Sequence, residues 1–348
     1  MFFLQPFVSL LSFYLMYYAK DTSIIIKDDD SSVVVVEQDI TTSPTDLDTI
    51  YKQAPARIET PALIENSIME FDTMIDNISN VKKKANYLLA KESCSATTGA
   101  GDCEACDDTF KLTFLRCESF NTKLAVKRWL KYWDSRVETF GLPHAFLPMT
   151  MEEGGAMHGI MTMDNPAMKY LQYSPVITDP DGRGILFQDM WVEADTDISA
   201  DNLLKVVWYQ IHQLIQQQDE SVQKHGIIIY VRGVTQFSDW NIKLSGKLFK
   251  HINTCLPIRI CGFHIINPLS FINLVLKIIR PLAGKKLRNS FHIHNSNSNM
   301  KAAAAGDDDD DDVDDESSIP DLLVSLSKFG LGTNETLPTI LGGALIMV

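Results

Sequence analysis

LPIRICGFHIINPLSFINLVLKIIRPLAGKKLRNSFHIH, residues Leu256 to His294, reads as strand, helix and strand in succession. The helix is the unusual part. Phe271, Leu274, Val275, Ile278, Ile279 and Leu282 recur at helical spacing and make an apolar stripe. Asn273, Lys277 and Arg280 share the other face, and Lys285, Lys286 and Arg288 follow directly. An apolar face beside a cationic one suits a movable lid over an apolar cavity at an anionic membrane surface. It also suits an ordinary core helix with a solvated basic face, so the helix by itself leaves both readings open.

Working outward, Gly226-Ile-Ile-Ile-Tyr230-Val is a continuous apolar run, the signature of a strand buried on both faces of a parallel sheet. Gly184 to Phe187 is a shorter strand of the same kind. Helical patterns at 200–218, 240–254 and 270–283 alternate with strands at 226–231, 258–266 and 290–294. Repeated strand–helix order predicts an α/β fold with a mostly parallel sheet and flanking helices. Upstream, Leu63, Ile68, Phe71, Met74, Ile75 and Ile78 open a helix expected to continue through Lys82-Lys83-Lys84 to about Ala90. A second helix is expected from Phe110 to Phe140. The organisation expected is an apolar N-terminal segment 1–20, a linker 21–60, a helical domain 61–142 and an α/β domain 143–348. An acidic, low-complexity insertion at 295–318 interrupts the last of these. Its run from Asp307 to Asp312 repels itself and should stay solvated and disordered.

At 348 residues with 45% hydrophobic and 22% charged residues, the chain can bury a full-size core. Its net charge of −14 is unevenly spread: between Ile227 and His294 ten Lys or Arg face Asp239 alone, so that segment is +9 and the remainder −23. A local basic face on an acidic protein points to an anionic membrane surface and away from nucleic acid. Residues 2–19 are almost wholly apolar but short for a bilayer span, with no preceding cation. A poor signal peptide, a short anchor and an upstream extension all remain open readings of them.

No nucleophile elbow, phosphate-binding loop or HExxH motif occurs, no catalytic residue is identified, and no cofactor is expected. Six cysteines are too sparse for a disulfide scaffold. Cys103-Glu-Ala-Cys106 has metal-binding spacing, but no second pair completes a site, so no metal is expected there. His264, His292 and His294 should lie near one another on adjacent strands, where core or edge packing is the simpler role.

Several motifs together resemble the CRAL-TRIO lipid-binding family, which includes tocopherol transfer, retinaldehyde-binding and phosphatidylinositol transfer proteins. They are Phe114-Leu115-Arg116 with Phe120 and Ala125, then Asp179-Pro-Asp-Gly-Arg183, then Pro257 and Gly262 to Pro268. Arg280-Pro281-Leu282, Leu337-Pro338 and Leu341-Gly342-Gly343 complete the series. The resemblance implies a lipid cavity between the sheet and a lid helix 270–283. Its walls would include Phe187, Ile228, Tyr230, Phe263 and Ile265 on strands, with Phe271, Leu274, Val275 and Ile278 on the lid. Arg259, Lys277, Arg280, Lys285, Lys286 and Arg288 would meet the membrane or a headgroup such as phosphatidylinositol bisphosphate.

Five positions basic in the tocopherol-transfer branch fall here on Glu118, Arg259, Cys261, Lys286 and Ser290, so only two keep the charge. The phosphatidylinositol branch has a lysine where this chain has Ile340. The implied function is non-enzymatic binding and intermembrane transfer of a hydrophobic small molecule or phospholipid, by a cytoplasmic, peripheral and monomeric protein. A membrane-tethered lipid-sensing adaptor is the alternative, with residues 1–20 as its anchor.

Overall fold

The computed structural model describes residues 51, 56–97, 103–142, 144–190, 199–216, 220–232, 241–268, 271–294, 319–341 and 343–347. The apolar segment 1–20, most of the linker 21–60 and the acidic insertion 295–318 lie outside the described residues. Among the described residues no helix is long and apolar enough to cross a membrane.

Four helices come first: α1 (Pro61–Asp76), α2 (Ala85–Thr97), α3 (Asp108–Cys117) and α4 (Thr122–Phe140). The expected single helix from 62 to 90 is two, because Asn80 caps a new start by accepting from Lys82 N. Lys84 Nζ then donates back to the carbonyls of Ile75 and Asp76 at the end of α1, at 2.9 and 3.2 Å. The expected helix from 110 to 140 also breaks. Ser119 and Phe120 adopt φ of 52° and 60°, and Asn121 caps α4 by accepting from Leu124 N.

The sheet runs β1 (Leu171–Thr178), β2 (Gly184–Asp189), β3 (Ile227–Arg232), β4 (Ile260–Ile266) and β5 (Phe291–His294), in that spatial order. β2 to β5 pair in parallel and β1 is an antiparallel edge strand. Sequence patterning did not anticipate β1, whose Gln172, Ser174 and Pro175 break any apolar run. Proline is tolerated there because an edge strand has one unpaired side. The Asp179–Arg183 motif is the β1–β2 turn: Asp179 accepts from the Arg183 and Asp181 amides and pairs with the Arg183 guanidinium at 3.0 Å.

The crossovers are α5 (Ala200–Ile215) with α6 (Ser221–His225), then α7 (Ile242–Thr254), then α8 (Ile272–Leu282) with α9 (Gly284–Leu287). A sequential strand order with right-handed crossovers sends every connecting helix to one face. Burial agrees: Leu203, Leu248 and Val275 from these helices share one core with Leu186, Ile229 and Phe263 of the sheet. The opposite face buries Ile185, Phe187, Ile228 and Tyr230 against Tyr51 and the C-terminal segment, which holds α10 (Ile319–Ser327).

Two glycines are required by this geometry. Gly226, between α6 and β3, has φ of 89°, and a Cβ there would stand 2.5 Å from the Arg259 carbonyl. A Cβ on Gly343 would overlap the Leu337 carbonyl, which instead accepts from Leu345 N at 3.0 Å and closes the C-terminal corner.

Candidate functional site

In a parallel sheet, residues in register share a face. Leu186, Ile229, Phe263 and Phe291 are in register, as are Gln188, Val231, Ile265 and Ile293; both rows face the helices. Above them α7 and α8 cover a cavity of about 80 Å³. Strand residues Val231, Phe263, Ile265 and Phe291 floor it, Leu248 and Phe249 of α7 form a wall, and Phe271, Ile272, Val275 and Ile279 roof it. Gln188 and Ser245 are the two polar side chains in this lining. The Gln188 amide donates to Tyr170 and Met190, while the Ser245 hydroxyl donates to the Asn241 carbonyl at 3.1 Å.

Four of the nine expected cavity residues therefore line it: Phe263, Ile265, Phe271 and Val275. Phe187, Ile228 and Tyr230 do not. They stand one residue out of phase with Leu186, Ile229 and Val231, so pleating turns them to the opposite face. There Tyr230 donates its hydroxyl to the Thr336 carbonyl at 3.1 Å. Leu274 is also corrected, because it is 45% exposed on the outside of α8. Ile278 is half-buried at the edge of the roof and does not line the cavity.

α8 thus has three sectors where two were expected. Val275 and Leu276 are buried, Leu274 and Leu282 form an exposed apolar strip, and Lys277 with Arg280 forms a cationic strip. Gln188, Met190, Ser245 and Phe249, which the sequence did not single out, come from β2, the residue that follows it and α7. Register with Phe263 and Ile265 is the signal that would have found the strand members.

The basic residues divide in two. Lys277, Arg280, Lys285 and Arg288 are exposed, and no ion pair holds them among the described residues. Arg259 and Lys286 instead line a second, polar cavity of about 570 Å³, together with Glu118, Asn121, Arg128, Asn253 and Ser290. Four of the five positions compared above with the tocopherol-transfer branch, Glu118, Arg259, Lys286 and Ser290, are therefore neighbours in space. Glu118 counters the local positive charge by pairing with Arg128 at 2.5 Å and Lys286 at 3.5 Å. Arg128 also donates to the Ile252, Asn253 and Leu256 carbonyls, which ties α4 to the end of α7. Arg259 is half-buried, with its Nε unpartnered. The fifth position, Cys261, turns away and donates its thiol to the His225 carbonyl.

On the far face, His264 stacks between His292 and His294 at ring distances of 5.0 and 5.1 Å. Tyr51 bonds His264 Nε2 at 3.1 Å, His264 Nδ1 bonds His294 Nε2 at 2.9 Å, and His294 Nδ1 bonds Ser325 at 2.8 Å. One set of neutral tautomers satisfies the whole chain, which joins the sheet to α10.

Residues 168–305 match the CRAL/TRIO domain. The human protein described as alpha-tocopherol transfer protein-like is 24% identical over 197 residues, covering 56% of this chain and 54% of that protein. Human clavesin-2 is 21% identical over 207 residues, covering 56% of this chain and 57% of its own length. The chain thus spans about half the length of the curated relatives it matches. The crystal structure of Sfh5 aligns at a TM-score of 0.44 and 10% identity, covering 70% of this chain and 85% of that one.

Proposed function

Because residues 168–305 match the CRAL/TRIO domain, we propose that the protein encloses a hydrophobic ligand beneath α8 and carries it between membranes. The observation that carries this reading is the make-up of α8. Its inner side roofs an apolar cavity, while its outer side sets an exposed apolar strip beside exposed cations. Burying a chain is worth about 0.8 kcal/mol per methylene, so such a cavity binds without catalytic groups. Ligand pockets usually measure about 300–1,000 Å³, so the 80 Å³ present here requires α8 to move on loading. Pro281 in its last turn and Gly284, at φ of 75°, mark where that movement would hinge. Gln188 and Ser245 would meet the ligand's polar end. The exposed cations would draw the lid onto an anionic leaflet, with Arg259 and Lys286 reaching a phosphorylated headgroup in the polar cavity against the opposing charge of Glu118. A relative named for its likeness to a tocopherol transfer protein supports the transfer role. Residues 61–142 would act as the N-terminal helical domain of a monomeric, peripheral cytoplasmic carrier.

Two variants separate the parts of this reading. Val275→Trp fills the cavity from the roof. It should abolish uptake of a fluorescent long-chain lipid while leaving vesicle binding intact, as read by a spin-column uptake assay. Lys277→Glu with Arg280→Glu removes two cations, each worth roughly 1 kcal/mol at an anionic surface. It should weaken binding to phosphatidylserine vesicles by at least about thirtyfold at low salt. Unchanged uptake in the first variant, or unchanged vesicle binding in the second, would count against the proposal.

A further inference from the structure

Away from both cavities, three cysteines converge. Cys94 lies on α2, while Cys103 and Cys106 lie in the turn that leads into α3. Their sulfurs all lie within 4.8 Å of one another, and among the described residues no other group of three Cys, His or carboxylate ligands does so. Read along the chain, Cys103-x-x-Cys106 lacks a third ligand. The fold supplies it by returning α2 alongside the turn. Cys106 N donates to the Cys103 carbonyl at 2.9 Å, which closes the Cys-x-x-Cys loop tightly. In this structure Cys94 and Cys103 are joined as a disulfide and Cys106 is free and exposed.

We propose that, when reduced, Cys94, Cys103 and Cys106 bind one zinc ion, and that the Cys94–Cys103 disulfide is the oxidised, metal-free form of the same site. Zinc–thiolate bonds of about 2.3 Å place tetrahedral sulfurs roughly 3.8 Å apart, a separation this cluster reaches through side-chain rotation. A disulfide alone would tie α2 to the turn with two cysteines, whereas a third thiol at ligand distance completes a soft donor set. The fourth position would be taken by water or an external donor. Glu104 is not part of this close cluster, and one of its carboxylate oxygens is held by Arg136. Three thiolates around Zn²⁺ leave one net negative charge, and the pocket beside Cys106 is lined by both signs, Lys91 and Lys111 with Asp72 and Asp76, Lys111 being paired with Asp72. Loading releases three thiol protons. Oxidation by an external disulfide reverses it: the Cys94 and Cys103 thiolates give two electrons to the oxidant's sulfur–sulfur bond. That oxidant leaves as two thiolates, the Cys94–Cys103 bond forms, and Zn²⁺ is released.

The test uses the full chain, reduced with a phosphine and freed of metal. Zn²⁺ is titrated against a chromophoric chelator, and alkylation of each thiol is then mapped by peptide mass spectrometry. One Zn²⁺ per chain is expected, with Cys94, Cys103 and Cys106 protected while Cys117, Cys255 and Cys261 react alike with and without metal once the chain is unfolded. Cys106→Ser should weaken zinc binding at least tenfold without preventing the disulfide. The proposal is overturned if the reduced wild-type chain yields Zn²⁺ fully to the chelator, if protection maps to other cysteines, or if Cys106→Ser binds as tightly as wild type. Because protection is read on the wild-type protein, a serine variant that fails to fold does not blunt the test.

Discussion

Arg136→Met should destabilise the protein by about 3–5 kcal/mol, the usual cost of stranding one charge of a buried pair. Arg136 is fully buried in α4. Its guanidinium pairs with Glu104, donates to the Leu147 carbonyl and donates to the Tyr132 hydroxyl at 2.7 Å. Tyr132 in turn bonds His212 Nε2 at 2.7 Å, while His212 Nδ1 donates to the Trp208 carbonyl at 2.8 Å. The network therefore links the 103–106 turn, α4, the segment after α4 and α5. Removing the guanidinium leaves the Glu104 carboxylate without its counterion in a desolvated place. Replacing both partners, Arg136→Met with Glu104→Leu, should recover most of the loss, since no charge is then stranded. Urea unfolding of the two variants checks this: equal destabilisation of single and double variants would show that Glu104 is not what the arginine neutralises.

Acidification from pH 7 to pH 4 should remove several kcal/mol of stability through buried histidines. Burial pushes His212, His251 and His294 each down to about 4, and it holds His264 well below the ordinary imidazole range. Hydrogen bonds fit the neutral forms, since Trp208 Nε1 donates to His251 Nδ1 at 2.9 Å. In the unfolded chain these groups titrate near 6.5. As pH falls from about 6.5 towards 4, the unfolded state binds protons that the folded state refuses, so stability is complete above this window and drains away through it. Each such histidine contributes on the order of 2–3 kcal/mol across the window, against a total of about 5–15 kcal/mol for a typical domain. The Asp179 carboxyl, raised by burial, acts in the opposite sense and offsets a part. Denaturant midpoints measured at pH 7, 6, 5 and 4.5 should fall steeply, with a shallower slope in His212→Gln. A flat profile between pH 7 and 5 would contradict the assignment.

The order of strands and helices from Gly184 to His294 was legible because each buried strand is an apolar run and each helix carries its own period. Which side of the sheet a residue takes was not. Ile227, Ile228 and Ile229 are all buried, one side packing under helices and the other under the C-terminal segment. A strand apolar at every position shows no alternation from which to assign faces. Phe187, Ile228 and Tyr230 were placed on the wrong side for that reason. Leu274 was misplaced for a different one: α8 carries apolar residues over more of its circumference than the roof uses, so the stripe's phase was ambiguous. Long-range polar partners were hidden as well. Nothing local connects Arg136 to Glu104, or Arg116 to Glu59 and Glu220, which it binds at 2.7 and 2.8 Å. The arginine of the Phe-Leu-Arg motif is thus a tie between the helices and α6. The third cysteine beside Cys103 and Cys106 became visible only once α2 and the turn were seen side by side.

The space beneath α8 should hold a hydrophobic ligand. Native mass spectrometry of the protein purified from a lipid-rich host, paired with lipid extraction, tests it most directly. A single class of long-chain or isoprenoid molecule at about one per chain, lost in Val275→Trp, is expected. A wild-type protein that carries no lipid and takes up none from vesicles would contradict it.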